Sequence, residues 1–152
     1  MSHARWEEQV ARLRRIAFDT NALIYLFEEV EPYASMVATA WQRVEAGQAV
    51  GVVSTIVEME LMVRPVREQD LGFLARLNLF LRHEPNIVVR SVDRQVARTA
   101  ARVRAQTLMA TPDALIAATA EVEACDAIIG NDAAFAKRSA AIPYLRLDNY
   151  AT

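Results

Sequence analysis

The sequence predicts an α/β fold with a mostly parallel central sheet of about five strands. Short apolar runs that have the character of buried strands alternate with longer segments whose apolar residues recur at helical spacing. The chain has 152 residues, of which 53% are hydrophobic, with only four glycines and five prolines. This composition is typical of one compact domain and excludes a disordered chain.

Residues 1–15 are predicted to form an N-terminal extension, either a short amphipathic helix or a loosely ordered segment, ahead of a single domain over residues 16–150. Trp6, Val10 and Leu13 recur at helical spacing in this extension. Beyond it, the chain has no internal repeat, low-complexity tract or linker. A second domain is therefore not expected.

The elements of the domain are predicted from apolar patterning. Buried strands are predicted at residues 16–18, 49–54, 86–90, 127–130 and 144–147. Helices are predicted from residue 21, at 32–45, from residue 55, and at 68–81, 91–109, 111–124 and 133–138. Gly47 is a predicted helix stop, Ser54 and Ser91 are predicted N-caps, and Pro65 is expected to end or break the helix that begins at residue 55.

A strong helix start precedes the last third of the chain. Thr111 is predicted as the N-cap, Pro112 occupies the first helical position, and Asp113 lies in the first turn.

Composition limits the classes of function. The single cysteine, Cys125, excludes an internal disulfide framework, and no Cys/His spacing suggests a zinc site. No apolar run approaches the roughly 20 residues that span a bilayer, so we expect a soluble, cytoplasmic protein. The net charge of -2 gives no overall attraction to nucleic acid, so any such role depends on local charge.

Acidic residues recur where the predicted strands end. Asp19 directly follows the first strand, Glu58 and Glu60 lie in the helix after the second, Asp113 opens a helix, and Asp132 lies two residues beyond the fourth strand. The carboxyl ends of parallel strands form the ligand-binding edge of such a sheet. We therefore expect these carboxylates to lie close together.

Crowded carboxylates raise one another's pKa unless a cation neutralises them. Ligand sets made only of oxygen suit Mg²⁺ or Mn²⁺, and these ions support phosphodiester hydrolysis. Each acid also has a simpler interpretation. Asp19 and Asp113 are typical helix-start residues, Asp132 can belong to a turn, and one of Glu58 and Glu60 must face away from the site.

Four segments together resemble the PIN-domain nucleases, and within them the small VapC-like toxins of toxin–antitoxin modules. The segments are "AFDTNALI", "VSTIVEMEL", "TPDALIAATA" and "IIGNDAAF", and the similarity extends from about residue 16 to residue 147. The resemblance implies a three-layer α/β/α fold and a Mg²⁺- or Mn²⁺-dependent endoribonuclease that leaves a 5′-phosphate and a 3′-hydroxyl.

The resemblance also implies roles for individual residues. Its catalytic, metal-binding quartet corresponds to Asp19, Glu60, Asp113 and Asp132, with Asp19 and Asp113 as primary ligands. Supporting polar positions correspond to Thr20, Asn21, Ser54 and Asn131. One position departs from the family pattern, because Gly130 stands where a hydroxyl residue is common.

Arginines recur every four residues before the predicted Asp113 turn, at Arg90, Arg94, Arg98 and Arg102, and Arg104 follows. Such a stripe can hold RNA phosphates, and Arg104 and Arg102 are the predicted RNA contacts. A solvated helix face is the alternative, and it is favoured for Arg94 and Arg98.

The resemblance further implies a protein antitoxin and a homodimer. Two other PIN-type interpretations stay open: a housekeeping RNA-processing nuclease, and a catalytically silent module that binds RNA or protein. A phosphate-binding α/β enzyme is disfavoured because the glycines, at positions 47, 51, 72 and 130, form no phosphate loop.

Overall fold

The computed structural model describes residues 2–139 and 141–151. Residue 1 of the predicted extension and residue 140 of the predicted domain lie outside the described residues. Five strands form one sheet in the order β3-β2-β1-β4-β5: β1 (Arg15–Phe18), β2 (Val50–Ser54), β3 (Ile87–Arg90), β4 (Ala127–Gly130) and β5 (Tyr144–Arg146). Every pairing is parallel, which confirms the predicted sheet.

Helices flank this sheet, as the predicted α/β fold requires. They are α1 (Ser2–Ala11), α2 (Thr20–Phe27), α3 (Tyr33–Glu45), α4 (Thr55–Arg67), α5 (Leu71–His83), α6 (Arg94–Thr107), α7 (Thr111–Val122) and α8 (Ala133–Arg138). A 3-10 turn over Leu147–Asn149 follows β5. None of the described helices is both long and apolar enough to cross a membrane.

Strand β1 lies at the centre of the sheet, between β2 and β4. Ala17 pairs with Val52 of β2 on one side and with Ile128 of β4 on the other. All three residues are buried, as expected for a parallel strand covered on both faces. The chain segments leaving β1, β2 and β4 therefore emerge side by side at one edge.

The helix α1 is packed into the same hydrophobic core. Trp6 and Val10 are completely buried, and the Trp6 indole Nε1 donates a 2.8 Å hydrogen bond to the Met36 carbonyl of α3. An indole N–H needs such a partner when it is buried. Residues 2–11 thus contribute directly to the packing around α3.

The structure corrects the prediction that Pro65 ends or breaks the helix. Helix α4 continues through Pro65 to Arg67, and the N–H of Glu68 still donates to the Arg64 carbonyl. A proline in the last turn removes only its own intrahelical donor, so the helix can continue for a few residues beyond it. The following helix α5 begins at Leu71, with Asp70 as N-cap, and not at residue 68.

Two predicted N-caps are also wrong. Asp93, and not Ser91, caps α6 by accepting a hydrogen bond from the Val96 N–H. Thr111 is the first residue of α7, and Ala110 holds the N-cap position without a side-chain bond. Asp is as good a cap as Ser, so composition alone could not choose between neighbouring candidates.

Candidate active site

The predicted acids lie at the carboxyl-end edge of the sheet or in the helices that begin there. Asp19 is the N-cap of α2 after β1, and Asp132 is the N-cap of α8 after β4. Glu60 lies in the second turn of α4, which follows β2, and Asp113 lies in the first turn of α7. Because β1 pairs with both β2 and β4, the segments that carry Asp19, Glu60 and Asp132 are neighbours in space, and α7 packs against α4, β2 and β4.

Asp19 is the buried centre of this group, with only 6% of its surface exposed. Its Oδ1 accepts a 2.8 Å hydrogen bond from the Thr20 N–H, and its Oδ2 accepts a 2.7 Å bond from the Tyr144 hydroxyl. Burial raises the pKa of Asp19 from 3.8 to about 6, with smaller contributions from the charges of Asp113 and Asp132, although both hydrogen bonds oppose the rise.

Asp113 belongs to the same electrostatic group. Burial raises its pKa, and the charges of Asp132 and Glu60 raise it further, while the charge of Arg138 acts in the opposite direction. The Glu60 Oε1 accepts a 2.8 Å hydrogen bond from the Thr20 hydroxyl, which places this carboxylate beside the residue that follows Asp19. Charge interactions therefore connect all four predicted acids.

Little positive charge from basic side chains compensates the charge of the four acids. Within the described ranges, none of the four forms an ion pair with an arginine or lysine. In the same part of the chain, no three His, Cys, Asp or Glu side chains converge closely enough to hold a metal ion between them. The donors are carboxylate oxygens with uncompensated charge, so the residues fit a hard divalent ion, while the four-ligand arrangement stays a prediction.

The supporting polar residues fall into two groups. The Asn21 Oδ1 accepts a 3.0 Å hydrogen bond from the Asn131 N–H, and the Asn131 Oδ1 accepts a 2.9 Å bond from the Asp148 N–H. These bonds fix the segment between β4 and Asp132 against α2. Ser54 instead caps α4 by accepting a 3.1 Å hydrogen bond from the Ile56 N–H, and it bonds to no acidic side chain among the residues that the structure describes.

Tyr144 of β5 is a site residue that sequence reasoning missed. Its hydroxyl donates to Asp19 and accepts a 3.0 Å hydrogen bond from the Asp132 N–H. Burial and the neighbouring Asp19 charge raise the pKa of Tyr144, so the hydroxyl stays a donor at neutral pH. The only signal in the sequence was Gly130, a missing hydroxyl at a position where the resembled family often has one.

The predicted RNA contacts are partly engaged within the protein. Arg102 forms a 2.7 Å ion pair with Glu121, and the Arg104 Nε donates a 2.9 Å hydrogen bond to the Met109 carbonyl. Arg138, an exposed residue at the end of α8, is the cation whose charge reaches Asp113. Nothing in the sequence distinguishes Arg138 from other surface arginines, because its approach to Asp113 depends on how α8 and α7 are placed in the fold.

The chain is similar to proteins of known family and structure. A model of the PIN domain matches residues 16–141. No curated protein matches the sequence significantly. Similar solved structures include VapBC2 from Rickettsia felis bound to a DNA fragment from their promoter, with 16% identity, a TM-score of 0.67 and coverage of 87% of this chain and 98% of that chain.

Two further structures are similar over comparable lengths. A toxin–antitoxin complex from Klebsiella pneumoniae has 25% identity and a TM-score of 0.62, covering 86% of this chain and 95% of that chain. FitAcB from Neisseria gonorrhoeae has 19% identity and a TM-score of 0.66, covering 86% of this chain and 96% of that chain.

Proposed function

This chain belongs to the PIN-domain family of nucleases, and from that premise we propose that it is a Mg²⁺- or Mn²⁺-dependent endoribonuclease, acting in the cytoplasm as the toxin of a toxin–antitoxin pair. The observation that carries the proposal is the Asp19 carboxylate beside Asp113 and Asp132: burial raises its pKa to about 6, and the charges of its two neighbours add to the rise. Uncompensated acids of this kind are costly to the fold and are characteristic of functional sites.

PIN domains generally use divalent metal ions, and here Asp19 and Asp113 would be the primary ligands, with Glu60 and Asp132 completing the pocket. Mg²⁺ is usually held by one or two carboxylates together with water and substrate phosphate, so a site with few protein ligands suits it. When bound, such an ion lowers the pKa of water and stabilises the charge that develops on the phosphate.

The protein's own residues would orient the acids and the RNA. Thr20 holds Glu60 by a 2.8 Å hydrogen bond, and Asn21 holds the Asn131 backbone at 3.0 Å. Water adds across the phosphodiester, leaving a 5′-phosphate on one fragment and a 3′-hydroxyl on the other. Arg104 and Arg102, together with Arg138, would neutralise RNA phosphates.

An antitoxin protein is the proposed partner, since the similar structures include toxin–antitoxin complexes. A groove of about 320 Å³ borders Glu60 and is lined by apolar residues that include Ile24, Phe27, Leu61 and Phe73. Its charged lining is mixed, since Arg64 and Arg76 stand beside four acids and Arg64 is paired with Glu28 and Glu68, so the groove fits an amphipathic antitoxin segment through its apolar face.

A homodimer is also proposed. Several large apolar side chains on one stretch of α4 are exposed, namely Met59, Met62, Val63 and Val66. Together with Glu58 and Arg67 they line a shallow groove. Contiguous exposed apolar surface of this kind is typical of a protein interface.

The test is cleavage of a mixed RNA pool by the purified wild type and by Asp19→Asn, each with Mg²⁺, with Mn²⁺ and with EDTA. The wild type should cut only with metal, and sequenced ends should carry a 5′-phosphate and a 3′-hydroxyl. Asp126→Asn is the matched control, since Asp126 bonds the Arg14 and Arg15 N–H groups at the opposite edge of the sheet. Equal cutting by wild type and Asp19→Asn would refute the proposal, and absence of metal-stimulated cleavage would favour a silent binding module.

A further inference from the structure

We propose that Tyr144 is the positioning residue of this site, and that Gly130 is glycine because the Tyr144 hydroxyl occupies the space that a side chain there would fill. The inference rests on the proposed metal-dependent function of the same site. It concerns how the acids are held and adds no reacting group.

The Tyr144 hydroxyl connects two acidic segments of the site. It donates to the Asp19 Oδ2 at 2.7 Å and accepts from the Asp132 N–H at 3.0 Å. The Asp19 Oδ1 is already held by the Thr20 N–H at 2.8 Å. Both carboxylate oxygens therefore have fixed donors, and the orientation of the Asp19 side chain depends on Tyr144.

The ring of Tyr144 is itself held in place by packing. It stacks on the completely buried ring of Phe135, with 4.6 Å between ring centroids and an interplanar angle of 29°. Phe135 belongs to α8, whose N-cap is Asp132. The stack thus ties the hydroxyl to the same helix that carries one of the acids.

Gly130 is explained by space and not by backbone conformation, since its φ is not in the left-handed region that favours glycine. A Cβ atom at residue 130 would lie 2.1 Å from the Tyr144 hydroxyl oxygen and 2.7 Å from the Asp19 Cβ. Contacts this short do not occur, so any side chain at residue 130 would displace the Tyr144 hydroxyl and press on the Asp19 side chain that it holds. The hydroxyl group beside Asp19 therefore comes from Tyr144 of β5 and not from a side chain at residue 130.

The primary experiment measures Mn²⁺ affinity of the EDTA-stripped protein by calorimetry, for the wild type and for Tyr144→Phe. Residues that orient metal ligands typically contribute 10–100-fold to affinity, so Tyr144→Phe should bind Mn²⁺ at least about 10-fold more weakly. Tyr150→Phe is the matched control, because Tyr150 packs against Trp6 of α1. Gly130→Ala keeps the hydroxyl but displaces both it and the Asp19 side chain, so it should weaken binding at least as much.

A readout without metal tests the geometry separately. In Tyr144→Phe, the Asp132 amide should exchange with solvent deuterium faster, while the Phe135 amide, bonded to the Asp132 Oδ1 at 3.0 Å, keeps its protection. Mn²⁺ affinity within twofold of the wild type in Tyr144→Phe, at whatever melting temperature, would overturn the inference and leave the proposed function standing. Weakened Mn²⁺ binding in the variant of a protein that cleaves no RNA would support the inference while refuting the nuclease. A wild type that binds no Mn²⁺ would overturn both.

Discussion

Replacing Asp19 by asparagine should make the metal-free protein more stable near neutral pH, even though it abolishes the proposed function. The Asp19 carboxylate is 6% exposed, and burial is the main reason that its pKa is raised from 3.8 to about 6. The folded protein therefore binds a proton at Asp19 more tightly than the unfolded chain does. Below pH 3.8 the Asp19 carboxyl does not lower the unfolding free energy. Its destabilising effect grows as pH rises from 3.8 to about 6 and is complete above that.

The magnitude follows from the pKa. A rise from 3.8 to about 6 corresponds to about 3 kcal/mol of stability lost above the folded pKa. Asparagine removes this titration, but it also disturbs the bond from Tyr144, at a cost of about 1 kcal/mol that does not depend on pH. The difference in unfolding free energy between Asp19→Asn and wild type should therefore grow by about 2 to 3 kcal/mol between pH 4 and pH 7.

The assay is urea denaturation in EDTA at several pH values, for the wild type, Asp19→Asn and Asp126→Asn. Two backbone N–H bonds lower the pKa of Asp126, so the stability that it contributes is present above 3.8 and is lost as pH falls. The difference between Asp126→Asn and wild type should accordingly be flat from pH 5 to 7. A flat difference curve for Asp19→Asn over the same range would refute the reasoning, because it would mean that burial does not raise the pKa of the carboxylate.

Saturating Mn²⁺, at about 100 times its Kd, should raise the unfolding free energy of the wild type by about 2.7 kcal/mol and leave that of Asp19→Asn unchanged.

The remaining predictions concern the N-terminal helix, the substrate surface and the thiol. Trp6→Ala removes a completely buried ring and the donor to the Met36 carbonyl, so urea denaturation should show a loss of about 3–5 kcal/mol, and a loss below 1 kcal/mol would mean that the helix is dispensable. Arg138→Gln should weaken RNA binding, reduce the salt dependence of that binding by about one phosphate contact and leave the melting temperature unchanged. Arg104→Gln should in addition destabilise the loop at Met109 that its hydrogen bond holds. Equal salt dependence for Arg138→Gln and wild type would argue against a phosphate contact at Arg138. Burial raises the pKa of Cys125 to about 12, so a thiol reagent at pH 8 should label it only as the protein unfolds, and immediate labelling of the native protein would contradict its burial.

The strands show how much of the fold the sequence predicts. All five were predicted to within one residue at either end, and the alternation of strands and helices was enough to predict a parallel sheet. Apolar runs and helical periodicity are local properties, so they can be identified without the rest of the chain. The errors at Pro65, Ser91 and Thr111 are local too, and each concerns one turn of helix whose end depends on its neighbours.

Some residues of the candidate site could be predicted from the sequence and others could not. Asp19, Asp113 and Asp132 could be selected from the sequence because each stands at the end of a strand or the start of a helix, and the parallel sheet brings such positions to one edge. Tyr144 could not be selected, since nothing within its own strand distinguishes it from any half-buried tyrosine. It lies 125 residues from Asp19 in the chain.

The sequence by itself thus determined which segments form strands and helices and which acids stand at their ends, because these depend on the spacing of apolar and capping residues. Only the tertiary structure decided which oxygen of Asp19 is held, by which hydroxyl, and why Gly130 must lack a side chain. The reason is that β5 pairs with β4, which lies beside β1. This strand order places Tyr144 of β5 against Gly130 and Asp19. Hydrogen bonds and close packing depend on the distances between these residues, and residue spacing along the chain does not encode them.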